Sequence, residues 1–339
     1  MSFKIAVIGA GSLVFARTLF TDIMSVPEFH DIEVAFTDIN PDNLDKVTRL
    51  CQRDLDSNNI PITIQATTDR REAFRGARYI INCVRIGGLP AFEMDVDIPL
   101  KYGVDQCVGD TLCTGGIMYG QRVIAEMLNF CKDIREVAEP GAIMLNYSNP
   151  NAMATWACNK YGGVKTIGLC HGEIHGESQI AEVLGIPRED LDITCAGINH
   201  QTWYVSVKHK GVELKDKLLA GFEAHERFSE EEKVRIDILK RFGYYSTESN
   251  GHLSEYGHGT GSVRMKSRTG SIRTAGLMEK PAAICALPER NATGLKRNTP
   301  RLHRSLQKNT TAARGERSTA PTSWSPWKPA ENTGAILIS

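Results

Sequence analysis

Two stretches of this 339-residue chain gather side chains that ligate metals or titrate. GLCHGEIHGES (168–178) presents Cys170, His171 and His175 after a strand-like run, and CAGINHQTW (195–203) presents His200 after another. A thiolate and an imidazole from neighbouring strand ends make half a site for a borderline divalent metal, with positions left open for substrate oxygens. Read singly, a Cys or His is more often a core residue, and GLCHGEIHGES also reads as a plain strand-to-helix turn. As a third option His175 is an acid–base catalyst.

Dinucleotide chemistry is suggested near the N-terminus. GAGSLVFAR (9–17) joins a strand to a helix, and Gly9 and Gly11 let the backbone turn and approach a pyrophosphate at the helix N-terminus, with Ser12 beside them. Val14 occupies the third glycine position of the usual fingerprint, so the loop alone is also compatible with a tight turn. Asp38 ends the second strand, where a carboxylate accepts bonds from both ribose hydroxyls and repels a 2′-phosphate, favouring NAD over NADP. NCVRIGG (82–88), with Arg85, and NYSNPN (146–151), with Asn149, lie at further strand ends, where parallel sheets present ligands. The residue before a proline avoids helix, so the Asn149 amide either faces the cleft or caps a helix beginning at Pro150.

These loops need a frame to hold them. KIAVIG (4–9), 32–38, 62–66, 77–84, 142–146 and 164–169 read as strands. Helical periods occupy 12–26, the segment opened by Asn40 and Pro41, 116–137 and 176–184. The alternation predicts an α/β fold, a Rossmann-like, mostly parallel sheet with helices on both faces. From about 191 the pattern changes to longer, antiparallel-looking strands and a charged helix at 229–242, the start of a second, α+β part. The expected division is a dinucleotide domain over 1–195, a substrate-facing part over 196–256, and a remainder over 257–339.

That remainder is unlike the rest. It holds 14 Lys or Arg against 4 Asp or Glu, whereas 1–256 holds 26 against 36, so the zero overall charge sums a basic and an acidic part. Phe and Tyr are absent from it and no period persists, which predicts a basic tail of low order and suggests out-of-frame translation. Its charge is the sole feature that would favour nucleic acid, which is not expected as a partner. No apolar run is long enough to span a membrane, and nine cysteines without repeated spacing read as reduced thiols of a cytoplasmic protein.

Taken in order, GAGS, TDI (37–39), VRIGG (84–88), GD and GGI (109–117), NYSNPN, GLCHG and GINHQTW resemble glycoside hydrolase family 4, most closely its α-galactosidase (melibiase) branch, from residue 1 to about 256. The resemblance implies an NAD- and Mn2+-dependent glycosidase, an exception to the two-carboxylate scheme. In such a reaction NAD+ takes hydride from sugar C3, a base removes the C2 proton, the C1 group leaves, water adds and the hydride returns. It implies Cys170 and His200 as metal ligands, Asn149 as a substrate contact and Asp110 in the sugar pocket. It further implies His171 as an acid for the leaving group, Tyr256 as the C2 base, and Arg85 on cofactor or substrate. Members of that family are expected to be homo-oligomers. As an alternative, GEIHG resembles the catalytic loop of lactate and malate dehydrogenases with Ile174 inserted, which implies an NAD-dependent 2-hydroxy-acid dehydrogenase using His175 and needing no metal. With 257–339 replaced, this chain is expected to bind NAD yet hydrolyse little and to lack subunit contacts.

Overall fold

A computed structural model describes residues 3–104 and 106–256; expectations about Asp105 and 257–339 lie outside the described residues. The first unit alternates strand and helix: β1 (Lys4–Ile8), α1 (Phe15–Met24), β2 (Glu33–Thr37), α2 (Pro41–Asn58), β3 (Thr63–Thr67), α3 (Arg70–Phe74) and β4 (Ala77–Asn82). It continues with α4 (Gly88–Lys101), α5 (Thr114–Val137), β5 (Ile143–Asn146), α6 (Asn151–Ala157), β6 (Lys165–Gly168) and α7 (Gly172–Leu184). All six strands are parallel in the order β3-β2-β1-β4-β5-β6, the Rossmann order, with its reversal between β1 and β4. One apolar layer covers each face. Phe74, Tyr119, Val123, Met127 and Phe130 pack on one side, and Leu19, Phe20, Phe36, Val47 and Leu55 on the other. Burial of both faces explains why central strands read as near-continuous apolar runs.

Local signals place the helix ends. The Asn40 side chain accepts from the Asn43 N–H at 3.0 Å and Pro41 fills the first turn of α2. Helix α1 starts at Phe15, three residues later than its period suggested, because Gly9–Val14 is spent turning the chain. Helix α7 starts at Gly172, four residues earlier than expected, so GEIHGES is its first turns and His171 its N-cap residue. Helix α4 was not legible as a period because Pro99 lies within it and apolar residues surround it.

The second sheet is antiparallel: β7 (Leu191–Ile198) and β8 (Gln201–His209) form a hairpin, β9 (Val212–Glu213) folds back to pair with the end of β8, and β10 (Tyr245–Ser246) pairs with β8 near its start. Helices α8 (Leu218–Ala224), α9 (Phe228–Glu231), α10 (Lys233–Phe242) and α11 (Asn250–Tyr256) follow or interleave, the expected 229–242 helix being broken at Glu232. Its core joins Ile180 and Ala181 of α7 to Tyr204, Val207, Phe222, Phe228 and Tyr245, so α7 and β7 already serve this unit before residue 196. Cys51, Cys83, Cys113, Cys131, Cys158, Cys170 and Cys195 are free thiols, as expected. No described helix is long and apolar enough to cross a membrane.

Arg235, 1% exposed, ties the unit together. It donates to Gln179 Oε1 at 2.5 Å and to the Ser246 carbonyl at 2.6 Å, stacks on Tyr245 and lies 3.5 Å from Glu232. Removing one member of a buried ion pair leaves the other uncompensated. Arg235→Leu is expected to lower stability by about 3 kcal/mol, read as a lower urea midpoint at unchanged m-value.

Candidate metal and dinucleotide site

Strand ends on one edge of the parallel sheet carry the site, and a polar network fixes them. Asn82 and Asn146, paired across β4 and β5, are fully buried. Asn82 Nδ2 donates to Asn146 Oδ1 at 2.8 Å and Ser148 Oγ at 3.1 Å. Ser148 Oγ in turn donates to the Val84 carbonyl at 2.8 Å. A fully partnered buried network of this kind is rigid, and here it sets the loops bearing Arg85 and Asn149.

The dinucleotide loop leaves β1 at the same edge. Gly9 has φ +86° and packs so tightly on the next loop that a Cβ would lie 2.9 Å from the Cys83 carbonyl. Such a position suits glycine alone. Asp38 accepts from the Gly11 N–H and the Asn40 N–H, both at 2.8 Å, and Ser12 Oγ accepts from the Phe15 N–H at 3.2 Å. Leu13, Val14, Phe15 and Ile39 are exposed beside them, an apolar rim next to the carboxylate.

Asp110 is the hub of the chemistry. Its Oδ2 accepts from Arg85 at 3.2 Å and Asn149 Nδ2 at 3.1 Å; its Oδ1 accepts from Thr111 Oγ1 at 2.7 Å and His252 Nε2 at 3.3 Å. Against the penalty of burial, the His252 and Thr111 bonds and the Arg85 charge hold its carboxyl well below the ordinary range. His252 is also burdened by burial, yet its bonds to Asp110 and to Glu248 Oε1, the latter at 2.9 Å, raise it to about 9. Both ring nitrogens face carboxylates, so it is an imidazolium between two anions.

The loop holding Asp110 is built to fit. Pro99 withholds the N–H that would bond the Asp95 carbonyl, and Gln106 Nε2 donates there at 2.9 Å instead. A Cβ at Gly116 would lie 2.4 Å from the Thr111 carbonyl, which explains the paired glycines of GGI. The Glu255 carboxylate of α11 accepts from the backbone N–H groups of Cys107, Val108 and Gly109 at 2.8–2.9 Å, clamping the loop.

His200 sits in the two-residue turn between β7 and β8 with φ +63°, a strained backbone for a residue other than glycine. The Thr111 hydroxyl spends its one proton on Asp110, so at 2.9 Å it can only accept from His200 Nδ1–H. Burial lowers the His200 pKa and favours the neutral ring, leaving a bare lone pair on Nε2. That lone pair points towards Glu248 Oε2 at 3.5 Å, and Cys170 Sγ, His200 and Glu248 all lie within 4.8 Å of one another. A second trio, Asp110, His200 and His252, shares His200. An acceptor facing a carboxylate with no proton between them fits a shared cation. Among the described residues, two buried polar atoms at this place, Asn199 Oδ1 and Tyr256 Oη, have no partner in hydrogen-bond geometry, which suits a site completed by ligand atoms.

Of the residues singled out from the sequence, Asp110, Arg85, Asn149, Cys170, His200 and Tyr256 thus converge. Asn149 faces Asp110 and caps no helix; Pro150 is the N-cap residue of α6. Gly9, Gly11, Ser12 and Asp38 form the adjoining loop. His171 turns away: it is exposed, its ring 5.6 Å from Phe15 and 5.5 Å from Tyr147, on the dinucleotide side. His175 lies one turn along α7, exposed, its Nε2 3.4 Å from Gln179 Nε2. Burial, with Glu255, Asp110 and Glu248 nearby, pushes the Tyr256 phenol up, opposite to what a base needs. Glu248, His252, Glu255 and Thr111 were not singled out. ESNGHLSEY nevertheless places Glu248 and His252 four apart, on one side of the chain as it enters α11.

A Rossmann-order sheet whose one edge bears both a dinucleotide loop and a thiol–imidazole–carboxylate cluster defines a nucleotide-fold protein with a candidate metal centre. The chain belongs to the family 4 glycosyl hydrolases: that family model matches residues 4–186 and the model of the family's C-terminal domain matches 195–322. The second match runs past residue 256, the limit that motifs alone give the resemblance. The chain is 62% identical over 256 residues to an alpha-galactosidase of Rhizobium meliloti, covering 75% of this chain and 52% of that one. With an alpha-galactosidase of Bacillus subtilis it shares 34% over 254 residues, 75% of this chain and 59% of that one. It therefore spans between half and three-fifths of the length of these two relatives. The 6-phospho-beta glucosidase of Thermotoga maritima, solved with manganese, NAD+ and glucose-6-phosphate, superposes with TM-score 0.67 at 25% identity, covering 82% of this chain and 64% of that one.

Thr111→Val removes the acceptor that holds the His200 proton on Nδ1. Loss of an outer partner of this kind usually costs 10–100-fold in metal affinity. Mn2+ titrated into the variant, followed by calorimetry, is expected to bind about 30-fold more weakly, with Thr111→Ser restoring most of the loss.

Proposed function

We propose that this chain is an NAD- and Mn2+-dependent glycosidase acting on α-galactosides of the melibiose type. The observation that carries the reading is the Cys170–His200–Glu248 cluster, whose ligand atoms lie within 4.8 Å of one another. It stands at the same sheet edge as the Gly9–Ser12 loop. Similarity to two alpha-galactosidases supports the sugar, and the manganese and NAD+ named for the Thermotoga structure support the cofactors. We assign 1–195 to the dinucleotide part and 196–256 to the substrate part, with α7 and β7 packing into the core of the second.

In this reading Gly9, Gly11 and Ser12 cradle the pyrophosphate, and Asp38 turns its carboxylate from the loop amides to the ribose hydroxyls. Cys170 Sγ and His200 Nε2 hold the divalent ion, with Glu248 beside them. When bound, NAD+ accepts and returns a hydride while the metal stabilises negative charge on the sugar oxygens. Everything else is the work of side chains. Asn149 and Asp110 orient sugar hydroxyls, and Arg85, stacked on Phe92 at 4.4 Å, keeps Asp110 ionised. Tyr256 Oη receives the proton from C2, and positive charge at the cluster offsets the burial that now disfavours its phenolate. His171 faces Phe15 and Tyr147 on the dinucleotide side, so no proton transfer is assigned to it. Free thiols suit a cytoplasmic setting.

Hydrolysis of nitrophenyl α-galactoside with NAD+, Mn2+ and a thiol tests the reading. Activity is expected to require both cofactors, to vanish in chelator, and to fall at least 100-fold in Cys170→Ser. Full activity in chelator, on a 2-hydroxy acid rather than a galactoside, would restore the dehydrogenase alternative. The weak turnover expected from the sequence rests on 257–339, outside the described residues, and the same assay measures it.

A further inference from the structure

Helix α10 begins without a side-chain cap of its own: Glu232, at the break from α9, bonds no N–H of the first turn. The acceptor comes from far downstream. Asn250 Oδ1 takes the N–H of Val234 at 3.0 Å and that of Arg235 at 3.1 Å. Its Nδ2 donates to the Glu231 carbonyl, which closes α9, at 2.8 Å and to Glu232 Oε2 at 3.0 Å. Helix ends leave such groups without partners, so one amide here serves both ends at a single break. All four of its hydrogen-bonding positions are used. Glu232 is buried and passes the constraint on: its Oε1 accepts from Gln179 Nε2 of α7 at 2.8 Å. Helix α7 starts two residues after Cys170, and α11 starts two residues after Glu248. Gln179, Glu232 and Asn250 therefore join the helix that follows one candidate ligand to the helix that follows another.

We propose that Asn250 is a positioning residue of the cluster. By tying the first turn of α11 to the α9–α10 break, and through Glu232 to α7, it holds Glu248, His252 and Glu255 in register with Cys170 and the Asp110 loop. A helix as short as α11, seven residues, is marginal by itself, so its anchor decides where these three side chains stand. Its apolar support lies on the same helix, since Leu253 packs with Val234 and Ile238. Asn250 spends its bonds on α9 and α10 and acts on the centre through the residues it places. Its part in metal binding rests on the function proposed above, whereas its hold on α11 stands without an ion.

Hydrogen exchange of the metal-free full chain tests the hold, and Mn2+ titration tests its consequence. In Asn250→Ala the amides of 107–109, which Glu255 clamps, are expected to exchange about tenfold faster, with β1 and β4 unchanged. Mn2+ is expected to bind about tenfold more weakly, at unchanged NAD+ affinity. Asn250→Asp keeps the acceptor for α10 but sets a second carboxylate against Glu232, and is expected to lose as much. Adding Glu232→Gln offers that carboxylate a donor, keeps an acceptor for Gln179 and restores the wild-type net charge, so the pair is expected to recover most of both losses. Unchanged exchange at 107–109 in Asn250→Ala overturns the proposal. So does faster exchange that extends to β1 and β4, because the whole fold is then loosened, and so does an unmoved Mn2+ affinity where the wild type binds through Cys170. Mn2+ binding indifferent to Cys170→Ser sinks the proposed function instead, and the exchange at 107–109 still decides the role of Asn250.

Discussion

A buried carboxylate must be surrounded by donors or it will not stay charged, and Asp110 organises this protein around that requirement. Its partners come from three separate places in the chain, Arg85 after β4, Asn149 after β5 and His252 in α11, and from Thr111 beside it. Each bond to Asp110 also fixes something else. Thr111 becomes an acceptor and thereby dictates which nitrogen of His200 bears the proton. His252 is held charged and donates its Nδ1–H to Glu248 Oε1, while Glu248 Oε2 turns towards His200. One negative charge, taken out of water, thus sets the protonation of an entire cluster.

The frame was legible because it follows from local rules. Apolar runs separated by helical periods give a parallel sheet, and the Asn40–Pro41 start and the Gly9–Gly11 turn announce themselves within a few residues. Strand ends were equally readable, which is why Cys170, His200, Asn149 and Arg85 could be placed on one edge. Direction was not. His171 follows Cys170, yet as the residue capping α7 it turns to Phe15 and Tyr147 rather than into the cluster. Nor was the contribution of α11 legible, since it depends on contacts that bridge 142 to 148 positions of sequence, as between His252 and Asp110 or Glu255 and Cys107. Spacing within ESNGHLSEY hinted at a polar face, but nothing local says what that face meets.

The two units divide the work by stiffness. Strand ends in the parallel sheet, locked by the Asn82–Asn146–Ser148 network, offer fixed points for a dinucleotide and for Arg85 and Asn149. The second unit contributes single side chains from turns: His200 from a hairpin tip with strained backbone, Glu248 and His252 from the entry of a short helix. Such a tip holds its unfavourable conformation only because β7 and β8 and the Thr111 bond over-determine it.

The Glu255 clamp on the amides of residues 107–109 has a consequence for biosynthesis. Chains emerge from the ribosome N-terminus first, and the parallel sheet has all its strands once residue 168 is out. The loop bearing Asp110 must then wait for the last turn of α11 before its backbone amides find their carboxylate. During that interval Cys170 is an ordinary thiol, without its carboxylate neighbour and open to whatever oxidant or stray metal the nascent chain encounters. Completion of the centre thereby waits until residue 255 has emerged, so the half-made protein has a nucleotide fold before it has a place for chemistry.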